Sequence, residues 1–261
     1  MNIMFRSNKF RPMRRHVRCL LLMFSFLAFS ITLHAKTKNV LILVEGNTDL
    51  KSFAMADGRQ LGNLMGHFDA RTTIKGVNQY LKNELNDYDF IFYIGYKLRE
   101  QPPKVFLNDV VKTLKPVIWL NTGIVEFAQN YDLKKLYGFT VTNYDSLSLY
   151  DMVKSGTKIF TKGDEHTSII QITDRKRVEV LATAYSSKKK RETPYIIRSK
   201  NLLLFADSPF AYADETDRYL LFADMLHDIL GEQHEESHSA LLRIEDISPM
   251  DNPNKLRDSF I

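Results

Sequence analysis

The chain has 261 residues, with 36 Lys and Arg against 31 Asp and Glu, for a formal net charge of +5. Six of those bases and no acid lie within residues 1–18, so bases and acids nearly balance beyond that point. This near-balance excludes nucleic-acid binding by bulk positive charge, and the length is enough for one good-sized domain plus a fragment.

The N-terminus is predicted to be a secretory signal peptide over residues 1–35. The basic stretch is followed by an apolar run, Cys19 to Leu33, and by a small-residue cleavage pattern that ends at Ala35. The run is shorter than the ~20 residues of a spanning helix. We therefore expect export to the periplasm, cell envelope or medium, with an uncleaved membrane anchor as the alternative. Because Cys19 is the only cysteine, the mature protein would hold no disulfide, thiolate metal site or cysteine nucleophile.

Strand and helix patterns alternate through the first half of the mature chain. Short apolar runs predict buried strands, and apolar spacing of three and four predicts helices. In the helix after Pro102-Pro103, the residues Phe106, Val110, Val111 and Leu114 are predicted to share a buried face. Predicted strands are 39–45, 68–74, 89–95 and 116–121, and predicted helices are 50–65, 77–85, 102–114 and 127–137. This alternation predicts an α/β fold with a flavodoxin-like or class I amidotransferase-like doubly wound sheet.

The second half is rich in strands. Five strand-like runs follow one another without a helix, with residues 187–192 as a hairpin tip, and they predict an antiparallel extension of the sheet. The runs are 158–161, 168–173, 178–185, 195–198 and 201–205. A final helix is predicted over 214–230, with Gly231 just past its end. Together these segments predict one domain over residues 36–232.

Two turns in the first half are candidate ligand sites. Trp119-Leu-Asn-Thr-Gly123 follows a predicted strand, where amidotransferase-like proteins carry a nucleophile elbow with cysteine. Asn121 stands there instead, which excludes acyl transfer by a thiolate. Asn121 and Thr122 could bind a ligand at the carboxyl edge of the sheet, or they could form the turn. Residues 46–49 offer either an anion site at a helix start or a helix cap.

Two charged motifs have competing interpretations. Residues 234–238, His-Glu-Glu-Ser-His, match the HExxH zinc pattern, which requires both histidines on one helix face. The segment lies between a predicted helix end and a predicted strand, which favours a polar interdomain linker. Residues 188–191, Lys-Lys-Lys-Arg, are interpreted as a solvated hairpin tip.

Residues 239–249, Ser-Ala-Leu-Leu-Arg-Ile-Glu-Asp-Ile-Ser-Pro, combine a strand-like run with paired acids. Glu245 and Asp246 can reach one site only where the strand ends and the backbone turns, and Pro249 favours such an end. Hydrolysis of an acetamide requires a metal that polarises the carbonyl and a carboxylate that deprotonates water. The pair could serve both needs, although solvated acid pairs are also common.

Residues 239–257, with 202–210 and 216–224 before them, resemble an uncharacterised bacterial family of predicted polysaccharide deacetylases. The resemblance implies that Asp246 binds a divalent metal such as zinc and that Glu245 is the general base, where most such enzymes have Asp. It implies that residues 233–261 are a linker and the first strand of a truncated (β/α) deacetylase barrel. The family's two metal-binding histidines lie further downstream than Ile261, so we expect this chain alone to be inactive and to bind no metal tightly.

The resemblance implies a full-length function of metal-dependent removal of acyl groups from an envelope or extracellular polysaccharide. The alternative is a non-catalytic module of the cell envelope that binds a glycan or a partner protein. Neither interpretation involves nucleic acid.

Overall fold

A computed structural model describes residues 37–46, 53–145, 147, 149–162, 166–210 and 217–232. The predicted signal peptide and the predicted deacetylase segment lie outside these residues. The helices are α1 (Phe53–Met65), α2 (Lys104–Val110), α3 (Ile124–Asn130), α4 (Leu133–Tyr137) and α5 (Arg218–Leu230). The strands are β1 (Lys38–Val44), β2 (Ala70–Gly76), β3 (Phe90–Ile94), β4 (Val117–Leu120), β5 (Phe139–Asp145), β6 (Met152–Ser155), β7 (Lys158–Thr161), β8 (Thr167–Ile172), β9 (Glu179–Ser186), β10 (Arg191–Ser199) and β11 (Leu202–Phe205).

Nine of the described strands form one mixed sheet in the order β2-β1-β3-β4-β11-β10-β9-β6-β7. The first five are parallel, and the remaining four extend the sheet with antiparallel pairs. The order 2-1-3-4-11 is that of a flavodoxin-like doubly wound sheet. Residues 40–44, 91–94, 117–120 and 202–205 are buried, as continuous apolar runs predict for parallel strands covered on both faces. The structure therefore confirms the α/β fold with a large mixed sheet.

The predicted antiparallel extension needs two corrections. The run at 201–205 is β11, which pairs in parallel with β4 and completes the parallel half of the sheet. The run at 168–173 is β8, which pairs with β5 in a separate two-stranded sheet. Residues 187–190 form the predicted hairpin turn between β9 and β10.

Three predicted helices are also wrong in part. The helix predicted over 77–85 is replaced by two short 3-10 segments, Val77–Gln79 and Glu84–Asp87, because Asn83 adopts a left-handed conformation (φ 64°) before the second. Residues 127–137 are divided between α3 and α4, because Tyr131 is extended and the side chain of Asp132 caps α4 through the backbone N–H of Lys135. Leu114 is 95% exposed, because α2 ends at Val110 and the chain turns before β4.

The final helix, α5, is confirmed, with Gly231 in the left-handed conformation (φ 66°) at its end. Within this helix, Phe222, Leu226 and Leu230 are buried, and Phe222 packs edge-on against Phe205 of β11. Among the described residues, no helix is both long and apolar enough to span a bilayer.

A buried ionic cluster joins the two halves of the sheet to α5. Asp207, which follows β11, lies 3.0 Å from the Nζ of Lys162 and 3.4 Å from the Nε of Arg218. The hydroxyl of Tyr195 on β10 donates a 2.5 Å hydrogen bond to the same carboxylate. All three charged side chains are fully buried. Since Lys162 follows β7 and Arg218 begins α5, one carboxylate links distant strand ends with the last helix.

Replacing this carboxylate tests how much the cluster stabilises the domain. We expect Asp207→Ala to lower the free energy of unfolding by about 3–5 kcal/mol, because it removes an anion from beside two buried cations. Asp224→Ala, in the exposed Lys158–Asp224 pair, is the matched control and should change stability by less than about 1 kcal/mol. Urea unfolding measures both, with Asp207→Asn as the milder change should Asp207→Ala fail to fold. Equal effects of Asp207→Ala and Asp224→Ala would contradict the assigned role.

Candidate functional site at the carboxyl edge of the sheet

Four parallel strands end side by side at the same edge of the sheet. In the strand register, Val44 pairs with Ile94, Ile94 with Leu120, and Leu120 with Phe205. The next residues in the chain, Glu45, Gly95, Asn121 and Ala206, therefore lie next to one another. The strand order reverses direction between β1 and β3, which is the switch point where α/β sheets of this type bind ligands.

The carboxylate of Glu45 is held by four donors at this edge. Its Oε2 accepts hydrogen bonds from the backbone N–H of Tyr96 (2.6 Å), the backbone N–H of Lys97 (2.8 Å) and the hydroxyl of Thr122 (3.3 Å). The Oε1 atom accepts a bond from the hydroxyl of Tyr93 at 3.1 Å. Two successive N–H groups aimed at one oxygen form an anion-binding nest. Glu45 thus fixes the loop after β3 and the turn after β4 with its own charge.

Burial dominates the electrostatics of Glu45. Only 1% of the residue is exposed, and this desolvation raises the pKa of its carboxyl, although the bonds from Tyr96, Lys97 and Tyr93 oppose the shift. Burial, followed by the charge of Glu45, also raises the pKa of Tyr93 well above its ordinary value. The tyrosine therefore stays protonated and remains a donor to the carboxylate.

The turn between β4 and α3 has a tightly constrained backbone. Asn121 (φ 71°) and Gly123 (φ 85°) are both left-handed. The Nδ2 of Asn121 donates to the carbonyl of Gly95 (2.9 Å), and the Nε1 of Trp119 donates to the carbonyl of Thr122 (2.9 Å). Gly95 is required here, because a Cβ at that position would lie 2.2 Å from the carbonyl oxygen of Thr122.

A tyrosine from β5 supports the other side of this turn. The hydroxyl of Tyr144 accepts a hydrogen bond from the backbone N–H of Gly123 (3.0 Å) and donates one to Glu126 (2.7 Å). Glu126 is buried in the first turn of α3, where the helix dipole favours a negative charge. Burial, together with Glu126, raises the pKa of Tyr144 strongly, so its hydroxyl keeps its proton.

Tyr96, like Glu45, is a residue at this edge that the sequence did not single out. It follows Gly95 directly, its backbone is held by Glu45, and 42% of the residue is exposed. Asn121 is partly exposed beside Gly95, and its Oδ1 accepts no hydrogen bond from the described residues. The sequence did contain a signal for Tyr96, because it is an aromatic residue that directly follows a predicted buried strand and its terminal glycine.

The structure brings together only part of the predicted site residues. Asn121 and Thr122 lie at the carboxyl edge, where Thr122 is buried and both side chains help to form the turn. Glu245, Asp246, the HExxH segment and residues 47–49 lie outside the described residues. Within the described ranges, no group of three His, Cys, Asp or Glu side chains could hold a metal ion.

The comparisons with known proteins bear on the fold. A ThuA-like protein from Bacteroides uniformis matches with a TM-score of 0.51 and 14% identity, over 72% of this chain and 89% of that one. A ThuA-like protein from Parabacteroides merdae (TM-score 0.46, 12% identity, 77% and 93%) and a glutamine amidotransferase from Thermotoga maritima (0.45, 11%, 75% and 86%) also match. No protein-family model matches the chain, and no curated protein matches its sequence. The first match shows a shared α/β fold, and the deacetylase resemblance stays a prediction.

The raised pKa of Glu45 predicts a pH dependence of stability. Above the ordinary carboxyl pKa, the folded state holds this proton more tightly than the unfolded state does. The resulting stabilisation is full below the unfolded pKa and is lost as pH rises through the folded pKa. We expect Glu45→Gln, which keeps an acceptor for the backbone donors, to remove this decline in the free energy of unfolding. Urea unfolding between about pH 4 and pH 8 measures it, and parallel curves for variant and wild type would contradict the assignment.

Proposed function

We propose that the described α/β domain is a non-catalytic glycan-binding module of the cell envelope, which binds its ligand at the carboxyl edge of the sheet. The observation that carries this proposal is the exposure of Tyr96 at the switch point, next to Gly95 and the partly exposed Asn121. An aromatic ring beside a hydrogen-bonding side chain matches the two surfaces of a sugar, which has apolar C–H faces and polar hydroxyl edges.

The local geometry supports a preorganised platform. The backbone N–H of Tyr96 is fixed by Glu45 at 2.6 Å, and the side-chain amide of Asn121 is fixed on the carbonyl of Gly95 at 2.9 Å. Little conformational freedom of the loop and turn therefore remains to be lost on binding. The Oδ1 of Asn121 is an acceptor that suits a sugar hydroxyl.

The same geometry favours binding over catalysis at this edge. The elbow position carries Asn121, whose amide nitrogen holds the turn, and an amide is not a nucleophile. Glu45 has the raised pKa of a candidate acid or base. However, it is 1% exposed and its oxygens already accept four hydrogen bonds, so its carboxylate is used to hold the site.

A second proposal concerns the protein to which this domain belongs. The resemblance of residues 239–257 supports a parent polysaccharide deacetylase that acts on envelope or extracellular glycan. Asp246 would then hold a divalent metal, and Glu245 would take the proton of the attacking water. In that scheme, the α/β domain would bring the enzyme to its polymer. Export through the predicted signal peptide belongs to the same proposal.

Substitution of Tyr96 tests the binding proposal. We expect Tyr96→Ala to weaken the binding of an oligosaccharide such as chitohexaose by about 1 kcal/mol, roughly fivefold in Kd, because the stacking platform is lost. Tyr96→Phe should bind like the wild type. Leu114→Ala, which removes an exposed apolar side chain outside the site, is the control. Calorimetry on folded variants gives the Kd values, and unchanged affinity in Tyr96→Ala would refute the site.

An assay of acetate release tests the second proposal. We expect the 261-residue chain to release no acetate from chitooligosaccharide in the presence of divalent metal, since Glu245 and Asp246 would provide only part of a metal site. Robust turnover would overturn the expected inactivity. Its loss in Asp246→Ala would then support the assigned metal ligand, whereas its persistence would contradict that assignment.

A further inference from the structure

The hairpin turn between β9 and β10 presents a concentrated positive charge. This segment, residues 187–191, is called the basic tip, and its four bases, Lys188, Lys189, Lys190 and Arg191, are all exposed. We propose that the basic tip binds the negatively charged groups of an acidic glycan. This inference rests on the proposed function and specifies the class of its ligand.

The two acids near the basic tip offset only part of its positive charge, and one of them, Asp151, is bound by the tip's own Ser187. Glu192 lies 2.8 Å from the Nζ of Lys154, which also lies 3.7 Å above the ring of Tyr185. Asp151 accepts hydrogen bonds from the backbone N–H (2.7 Å) and the hydroxyl of Ser187. Five bases and two acids are therefore grouped here, whereas bases and acids nearly balance over the whole chain beyond residue 18. Such a local excess attracts anions through its field.

The basic tip also has a defined conformation. The backbone N–H of Lys189 donates to the hydroxyl of Ser186 (3.1 Å), and that of Lys190 donates to the Ser186 carbonyl (2.9 Å). Lys190 adopts a left-handed conformation (φ 51°), which glycine or asparagine adopts more readily.

The strand register places the basic tip beyond the same end of the strands as the candidate site, which is the carboxyl edge of the parallel half. Ile196 of β10 pairs with Phe205, the last residue of β11. Arg191 lies five residues further along β10, in the direction in which β11 ends. At ~3.3 Å per residue, the hairpin extends roughly 17 Å beyond the carboxyl end of β11. A glycan chain bound at Tyr96 and Asn121 would therefore have a cationic surface on its own side of the sheet.

An acidic glycan fits this surface better than a lipid bilayer does. Residues 187–191 contain no apolar side chain that could enter the boundary between headgroups and acyl chains. The charges are separate lysine and arginine side chains on a turn, which suits repeated carboxylates along a polymer. Since the attraction is between exposed charges, it should weaken as salt rises.

A matched pair of sugars tests the inference. The probes are a fluorescent oligogalacturonate and its neutral methyl ester, and anisotropy with the full chain gives Kd at about 20 and 150 mM salt. We expect the acid to bind about tenfold more tightly than the ester at low salt. Lys188→Ser with Lys189→Ser should abolish this difference. Lys134→Ser with Lys135→Ser, which removes the same charge from exposed positions on α4, should preserve it.

The outcomes separate this inference from the proposed function. If acid and ester bind equally and Tyr96→Ala weakens the binding of both, the proposed role of the basic tip is wrong. The proposal of glycan binding at Tyr96 would then still hold. No binding of either probe, with chitohexaose still bound through Tyr96, would overturn the inference alone, and no binding of chitohexaose either would overturn both. Vesicles that contain phosphatidylglycerol provide the alternative partner, and tip-dependent binding to vesicles but not to the acid would also overturn the inference.

Discussion

The hydrogen bonds to the Glu45 carboxylate are the interaction on which the candidate site depends. One side chain at the end of β1 fixes the loop after β3 through Tyr96 and Lys97 and the turn after β4 through Thr122. Because its two nest donors are backbone N–H groups, the site is shaped by a charge that the protein supplies itself. These bonds place the backbone of Tyr96, and the left-handed Asn121 and the close approach of Gly95 to Thr122 lie beside them at the same edge.

The Asp207 cluster performs a comparable task for the antiparallel half of the sheet. Lys162, Tyr195 and Arg218 come from different elements and meet at one buried carboxylate. A buried charge of this kind is costly unless its partners are held in place. The cluster therefore fixes the end of β7 and the start of α5 relative to β11. The hairpin that carries the basic tip emerges from this same half of the sheet.

The sequence predicts the parallel strands well because a strand that is buried on both faces consists of a continuous run of apolar residues. Residues 39–45, 89–95 and 116–121 are short apolar runs, and each forms a strand. The helix predicted over 77–85 is wrong because Asn83 breaks it and Tyr80 is held by a distant carboxylate, that of Asp109. The division at Tyr131 was partly readable, since Asp132 is a standard helix cap.

The sequence predicted where the candidate site lies but not which polar contacts form it. Asn121 and Thr122 were placed at the carboxyl edge because strand ends carry recognisable turn residues. The role of Glu45 was not predictable, because its partners lie 48 to 77 residues away and their meeting depends on strand order. The same applies to Asp207 and Arg218, whose contact depends on how α5 packs. Local sequence patterns do not predict such polar contacts between residues that are far apart in the chain.

The central claim is that a glycan binds at the carboxyl edge of the sheet. The most direct measurement is NMR titration of the isotope-labelled protein with an oligosaccharide ligand. The account predicts saturable shifts of the backbone amides of Gly95, Tyr96 and Asn121, with the amides of Leu114 and Gly156 unchanged. Saturable binding whose shifts leave the three edge amides unmoved would contradict it.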